Sequence, residues 1–135
     1  MPHLIVEYST NLDSLINTQS LVDAIHHAAL ATGIAPVDAL RTRAEPHNVY
    51  RIGDGHPNNA FIAIAARLGV GRTSEQKNRF LAAILEATET VLGAHAINVM
   101  LSVEYQEIDP EFRINKNNLR DAINARQDAN DASRA

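Results

Sequence analysis

Ala60-Phe61-Ile62-Ala63-Ile64-Ala65-Ala66-Arg67-Leu68-Gly69-Val70-Gly71-Arg72-Thr73-Ser74-Glu75-Gln76 changes character twice in seventeen residues. Ala60 to Leu68 is a short, strongly apolar run of strand length. Gly69-Val70-Gly71 breaks it, and Thr73 with Gln76 three residues on has the form of a capping box that opens a helix. The helix is predicted from Ser74 to Leu92, because Phe80, Leu81, Ile84, Leu85, Ala87, Thr88 and Val91 mark one stripe. Ile97 to Ile108, closed by Asp109-Pro110, reads as a further strand. Together these segments make one β-α-β unit.

The preceding half of the chain repeats that order. Residues 3–9 alternate Leu4, Val6 and Tyr8 with Ile5 and Glu7, which reads as a strand. After the polar stretch Thr10 to Thr18, Leu21, Val22, Ile25, Ala28, Ala29 and Ala31 recur at helical spacing, with Gly33 as the stop and Pro36 beyond it. Residues 39–52 alternate again, and Pro46 predicts an edge position or a bend between two short strands. Gly53 to Asn59 is dense in turn residues. Val6-Glu7-Tyr8 is echoed by Val103-Glu104-Tyr105, a faint sign of duplication.

With right-handed crossovers, the order predicts an α+β fold. Two β-α-β units share a four-stranded mixed sheet with both helices on one face. The other face is expected to be apolar and uncovered, which argues for an oligomer. A short helix is predicted near 118–125. Residues 1–125 are expected to form a single domain, and the polar, alanine-rich 126–135 a disordered tail.

Composition narrows the function. The 135 residues are 45% hydrophobic and 21% charged, as in an ordinary globular domain. The absence of cysteine removes disulfides, thiolate nucleophiles and cysteine metal sites. A net charge of −4, with 4% aromatic residues and no tryptophan, argues against a nucleic-acid partner. No apolar run approaches the ~18 residues of a membrane span and no basic leader is present. No membrane partner is expected, and a cytoplasmic location is.

Candidate chemistry gathers on a few residues. If Met1 is removed, Pro2 carries a free secondary amine at the head of a strand. An α-amino group titrates near about 7.7–8.0, so modest tuning makes it a general base. Arg41 and Arg43 lie two apart on a strand and share a face. Arg72 follows a Gly-x-Gly turn and precedes a helix, where amides and dipole favour anions. Arginines around one pocket would bind a small-molecule carboxylate through bidentate forks. Gly-Val-Gly-Arg-Thr lacks the spacing of a P-loop, and no Gly-x-Ser-x-Gly elbow is present. His26, His27, His47, His56 and His95 show no metal-ligand spacing, so no metal site is expected. His3 is set apart as the neighbour of the terminal amine.

Pro2-His3-Leu4-Ile5-Val6-Glu7, Ala31-Thr32-Gly33-Ile34-Ala35-Pro36 and Arg41-Thr42-Arg43 follow in order. Asp54-Gly55, Ala60-Phe61, Gly69-Val70-Gly71-Arg72 and Asn115-Lys116-Asn117-Asn118 complete a series that covers roughly residues 2–125. The ordered set resembles the 5-carboxymethyl-2-hydroxymuconate Δ-isomerases of the tautomerase superfamily. The resemblance implies a homotrimer and a cofactor-independent isomerisation in homoprotocatechuate catabolism, with the amino-terminal proline as base. It places that base on Pro2 and the carboxylate-binding arginines on Arg41 and Arg72, with Arg43 and His3 in support. A related tautomerase acting on another 2-hydroxydienoate or enol, and a non-catalytic trimeric binding protein, remain open.

Overall fold

The computed structural model describes residues 2–134; Met1 and Ala135 lie outside the described residues. The elements are β1 (His3–Ser9), α1 (Thr18–Ala31), β2 (Arg41–His47), β3 (Ala60–Gly69), α2 (Ser74–Leu92), β4 (Val99–Ile108) and α3 (Leu119–Arg134). The four strands form one sheet in the order β2-β1-β3-β4. β1 pairs parallel with β2, and β3 parallel with β4, while β1 and β3 run antiparallel at the centre. The mixed sheet of two β-α-β units is therefore as the sequence predicts.

α1 and α2 pack against each other and on one face of the sheet. Alternation decides which side chains meet them. Leu4 and Val6 of β1, with Ile62, Ile64, Ala66 and Leu68 of β3, are buried beneath Leu21, Ile25, Phe80, Ile84 and Leu92 of the helices. Each large apolar side chain taken out of water there contributes roughly 1.5–3 kcal/mol. Asn17 caps α1 by accepting from the Ser20 N–H at 2.9 Å. Thr73 and Gln76 form the predicted reciprocal box on α2, at 3.1 and 2.9 Å.

Five features settle or depart from the sequence expectations. Of the two readings of residues 39–52, the edge position holds and the pair of short strands does not: β2 is an edge strand ending at His47, and Val49 is 95% exposed. Pro46 sits at that edge, where its missing N–H costs no ladder bond. Second, α3 runs through Arg134, so the expected tail is helical over its described residues. Alanines at 122, 125, 129 and 132 favour helix, and Asp121 and Arg134 complement its dipole.

Third, the helix-free face is mixed rather than apolar. Register assigns it His3, Ile5, Glu7, Arg41, Arg43, Glu45, Phe61, Ala63, Ala65 and Arg67. Fourth, the Val-Glu-Tyr echo joins β1 to β4, which hold different places in their units, so it carries no sign of duplication. Last, Ser74–Asn98 is long and apolar enough, by length and composition, to cross a membrane. Its Phe80, Ile84, Thr88 and Leu92 stripe is buried on the sheet, as in a core helix.

Candidate active site

Pro2 is buried immediately ahead of β1. Its carbonyl accepts from the Arg41 N–H at 3.2 Å, which fixes the head of β1 against β2. On its other side His3 pairs with Arg67, and the same antiparallel register carried one step further sets Pro2 beside Leu68. The residue expected to be the base is thus tied by its carbonyl to β2 and lies at the head of the β1–β3 pairing.

Parallel pairing sets Arg41 beside His3 and Arg43 beside Ile5, all on the helix-free face. Arg43 Nη1 donates to His3 Nδ1 at 3.2 Å. A guanidinium only donates, so the His3 proton sits on Nε2. Burial first, then the charges of Arg41, Arg43 and Arg67, push the His3 pKa down to about 4. His3 is neutral at pH 7 and braces Arg43.

Arg72 stands in the turn after β3, where Gly71 takes φ +112°, a conformation that favours glycine. Its Nη1 donates to the Gly69 carbonyl and its Nη2 to the Ile34 carbonyl, each at 3.1 Å. Those bonds tie the β3–α2 turn to the α1–β2 loop and use two of five guanidinium N–H groups. The Gln76 N–H of the neighbouring helix start is taken by Thr73, so anion binding here rests on the arginine more than on free amides.

The structure therefore brings Pro2, His3, Arg41, Arg43 and Arg72 to one end of the sheet, with Arg41, Arg43 and His3 on the helix-free face. It adds Arg67, which sequence reasoning passed over inside an apolar strand. The signal was its alternation with Ala66 and Leu68, which turns it to the other face. Among the described residues the ion pairs are His47–Glu7, Lys77–Glu107 and Arg120–Asp38. None engages Arg41, Arg43, Arg67 or Arg72, so these cations are available to an anionic ligand.

The opposite end differs in kind. A cavity of about 410 Å³ there is lined by Asn11, Leu15, Pro57, His95 and Asn98 among others, with no arginine or lysine. Farther along the helix-free face, Glu7, Glu45 and His47 present ligand atoms within 4.8 Å of one another. His47 Nε2 donates to Glu7 Oε1 at 3.1 Å. These are described residues able to hold a metal ion, assembled by strand register where sequence spacing gave no hint. Their histidine is already matched to a carboxylate.

Comparison with known proteins agrees with the geometry. The family model described as 5-carboxymethyl-2-hydroxymuconate isomerase matches residues 2–123. A 5-carboxymethyl-2-hydroxymuconate Delta-isomerase from Escherichia coli is 27% identical over 121 residues, covering 88% of this chain and 96% of that protein. The crystal structure of a 5-carboxymethyl-2-hydroxymuconate isomerase from Deinococcus radiodurans R1 superposes with a TM-score of 0.82 at 28% identity. It covers 90% of this chain and 93% of its own. A fused 4-OT solved as a symmetric trimer shares the fold, with a TM-score of 0.63 at 21% identity over 86% of this chain and 92% of its own. With a tautomerase fold and a family match from the buried Pro2 to α3, the chain belongs to the 5-carboxymethyl-2-hydroxymuconate isomerase family.

Proposed function

We propose that this chain isomerises 5-carboxymethyl-2-hydroxymuconate to its 2-oxo isomer in homoprotocatechuate catabolism, with Pro2 as the proton-shuttling base. The observation that carries the reading is the setting of Pro2, buried at the head of β1 at the arginine-rich end of the sheet. Removal of Met1 converts its amide nitrogen into a secondary amine. Neighbouring cations and burial both disfavour the protonated amine, so the nitrogen is basic and free near neutrality.

The Pro2 nitrogen removes the proton of the substrate 2-hydroxyl group and returns it to carbon 5. The O–H bond breaks and a C5–H bond forms. Between them the C2=C3 and C4=C5 double bonds become C2=O and C3=C4. One base serves both ends of the conjugated chain, and no cofactor enters the balance. Arg41 and Arg72 hold carboxylates and stabilise charge developing on the dienolate oxygen. Arg43 and His3 support them.

The working form is a homotrimer in the cytoplasm, with residues 1–125 as the functional domain. Two observations support a trimer: the helix-free face carries the half-buried Ile5, Phe61, Ala63 and Ala65 between its charges, and the fused 4-OT neighbour is trimeric. The test is Pro2→Ala, with intact mass confirming that Met1 is gone from both proteins. A positioned general base contributes about 10²–10⁴-fold, so kcat should fall at least about 100-fold while weak activity remains. Unchanged turnover, or full activity with Met1 retained, would remove Pro2 from the mechanism.

A further inference from the structure

We propose that Arg113 is a substrate-carboxylate residue that reads the carboxymethyl arm. The inference rests on the substrate reading above. Arg113 follows β4 through a short turn at Pro110–Phe112. Its Nη1 is buried and donates to no acceptor among the described residues. A buried guanidinium N–H without an acceptor is costly, and a carboxylate is the acceptor that its planar fork fits best.

Its location adds to the chemistry. The Arg113 guanidinium lies against Gly69, where a Cβ would come within 3.2 Å of Nη1. The carbonyl of the same Gly69 accepts from Arg72, so two guanidinia meet on one peptide unit. Gly69 directly follows Leu68, the residue that register sets beside Pro2. Arg113 is also held in place from both sides. Asp109 Oδ1 accepts from the Glu111 N–H at 2.9 Å, and Asn117 Nδ2 donates to the Asp38 carbonyl at 2.8 Å.

On the substrate reading, Arg41 and Arg72 take two of the three carboxylates and the dienolate oxygen, which leaves the carboxymethyl arm. Of the other guanidinia at this end, Arg43 is braced against His3 and Arg67 lies on the helix-free face. Arg113 is set apart from both by a buried N–H that has no acceptor among the described residues.

The experiment compares 5-carboxymethyl-2-hydroxymuconate with 2-hydroxymuconate, which lacks the arm. Arg113→Ala should raise KM for the first about 10- to 100-fold, the range of a charged hydrogen bond. It should leave kcat within about threefold, and kcat/KM for 2-hydroxymuconate unchanged. Arg113→Lys should recover part of the loss. Gly69→Ala, which displaces the guanidinium without touching its charge, should shift KM in the same direction by less. Equal losses on both substrates, or none on either, would overturn the assignment.

Should the wild-type protein turn over neither compound, the substrate reading fails by itself. Calorimetric titration with the unreactive tricarballylate and adipate then tests Arg113 alone. A preference for the tricarboxylate that disappears in Arg113→Ala upholds a carboxylate subsite, and an unchanged preference rejects it.

Discussion

The two ends of the sheet are built from the same four strands and do opposite things. At the Pro2 end, strand heads and strand ends present Arg41, Arg43, Arg67 and Arg72, and the ring of His3 is kept neutral among them. At the other end, Asn59 Nδ2 donates to the Ile52 carbonyl at 2.9 Å and to Asp54 Oδ1 at 2.7 Å, while Asn11 Nδ2 donates to the Asn59 carbonyl at 2.8 Å. A cavity of about 410 Å³ at that end is lined without arginine or lysine, and the nearby Arg51 donates to the Asp54 carbonyl. At the Pro2 end several guanidinia converge, and a ligand with more than one carboxylate is better matched there. The comparison teaches that clustered charge is a better guide than cavity volume to where a carboxylate ligand would be held.

Arg72→Ala should break the comparison most sharply. It removes a cation and leaves the Gly69 and Ile34 carbonyls without their donors. Charged hydrogen bonds are worth about 1.5–3 kcal/mol, so kcat/KM should fall roughly 10- to 100-fold with a measurable drop in Tm. Arg72→Lys keeps the charge and loses the fork, and it should regain part of kcat/KM while Tm stays low. A kcat/KM within about threefold of wild type in the alanine variant would mean that the Pro2 end is not where substrate is held.

Asn59→Ala addresses the far end, with the reverse signature. Losing the amide leaves the Ile52 carbonyl and the Asp54 carboxylate without a donor. Both groups are near solvent, so the expected cost is about 1–2 kcal/mol of stability, read as a lower urea midpoint. Steady-state kcat/KM below the unfolding transition should not change. If activity fell in step with Arg72→Ala, the two ends would be coupled and the division between them would be wrong.

How much of this was legible in the sequence follows from the range over which each feature acts. The capping box of α2, the glycine stop after α1 and the period-two strands are local, and they were readable residue by residue. Pro2, Arg41 and Arg72 were also readable, because terminus, strand alternation and glycine turn are local signals. Arg67 and Arg113 were not. Arg67 acquires its role only when antiparallel register puts it opposite His3. Arg113 does so only because the chain beyond β4 folds back onto Gly69, a contact between residues 44 positions apart in the sequence. The same limit hid the Glu7–Glu45–His47 group and made the Val-Glu-Tyr echo look like duplication. In each case pairing between strands decides what sequence spacing cannot.

The smallest expected effect separates the two ends by acidity. His3 has its pKa lowered to about 4 from an ordinary value near 6.5. Between those values the unfolded chain binds a proton that the folded chain refuses, so stability falls as pH drops from about 6.5 to about 4 and then levels. Asp54 is lowered by the His56 N–H first and by Asn59 second. Its contribution is present above the ordinary carboxylate range, and it is lost only as pH falls below about 3.8. The His3 window is centred above the Asp54 window, so a single pH series weights the Pro2 end first and the far end second. His26 is also lowered, by burial first and by the neighbouring His27 second, so it too reduces stability as pH falls below the ordinary histidine value. His3→Gln should therefore flatten the decline between pH 6.5 and 4 without abolishing it, and should leave the slope below pH 4 unchanged. Denaturant midpoints across that range provide the measurement. An upper-window slope identical to wild type would show that the arginines around His3 are too well solvated to act on it. The electrostatic contrast between the two ends would then be a matter of composition alone.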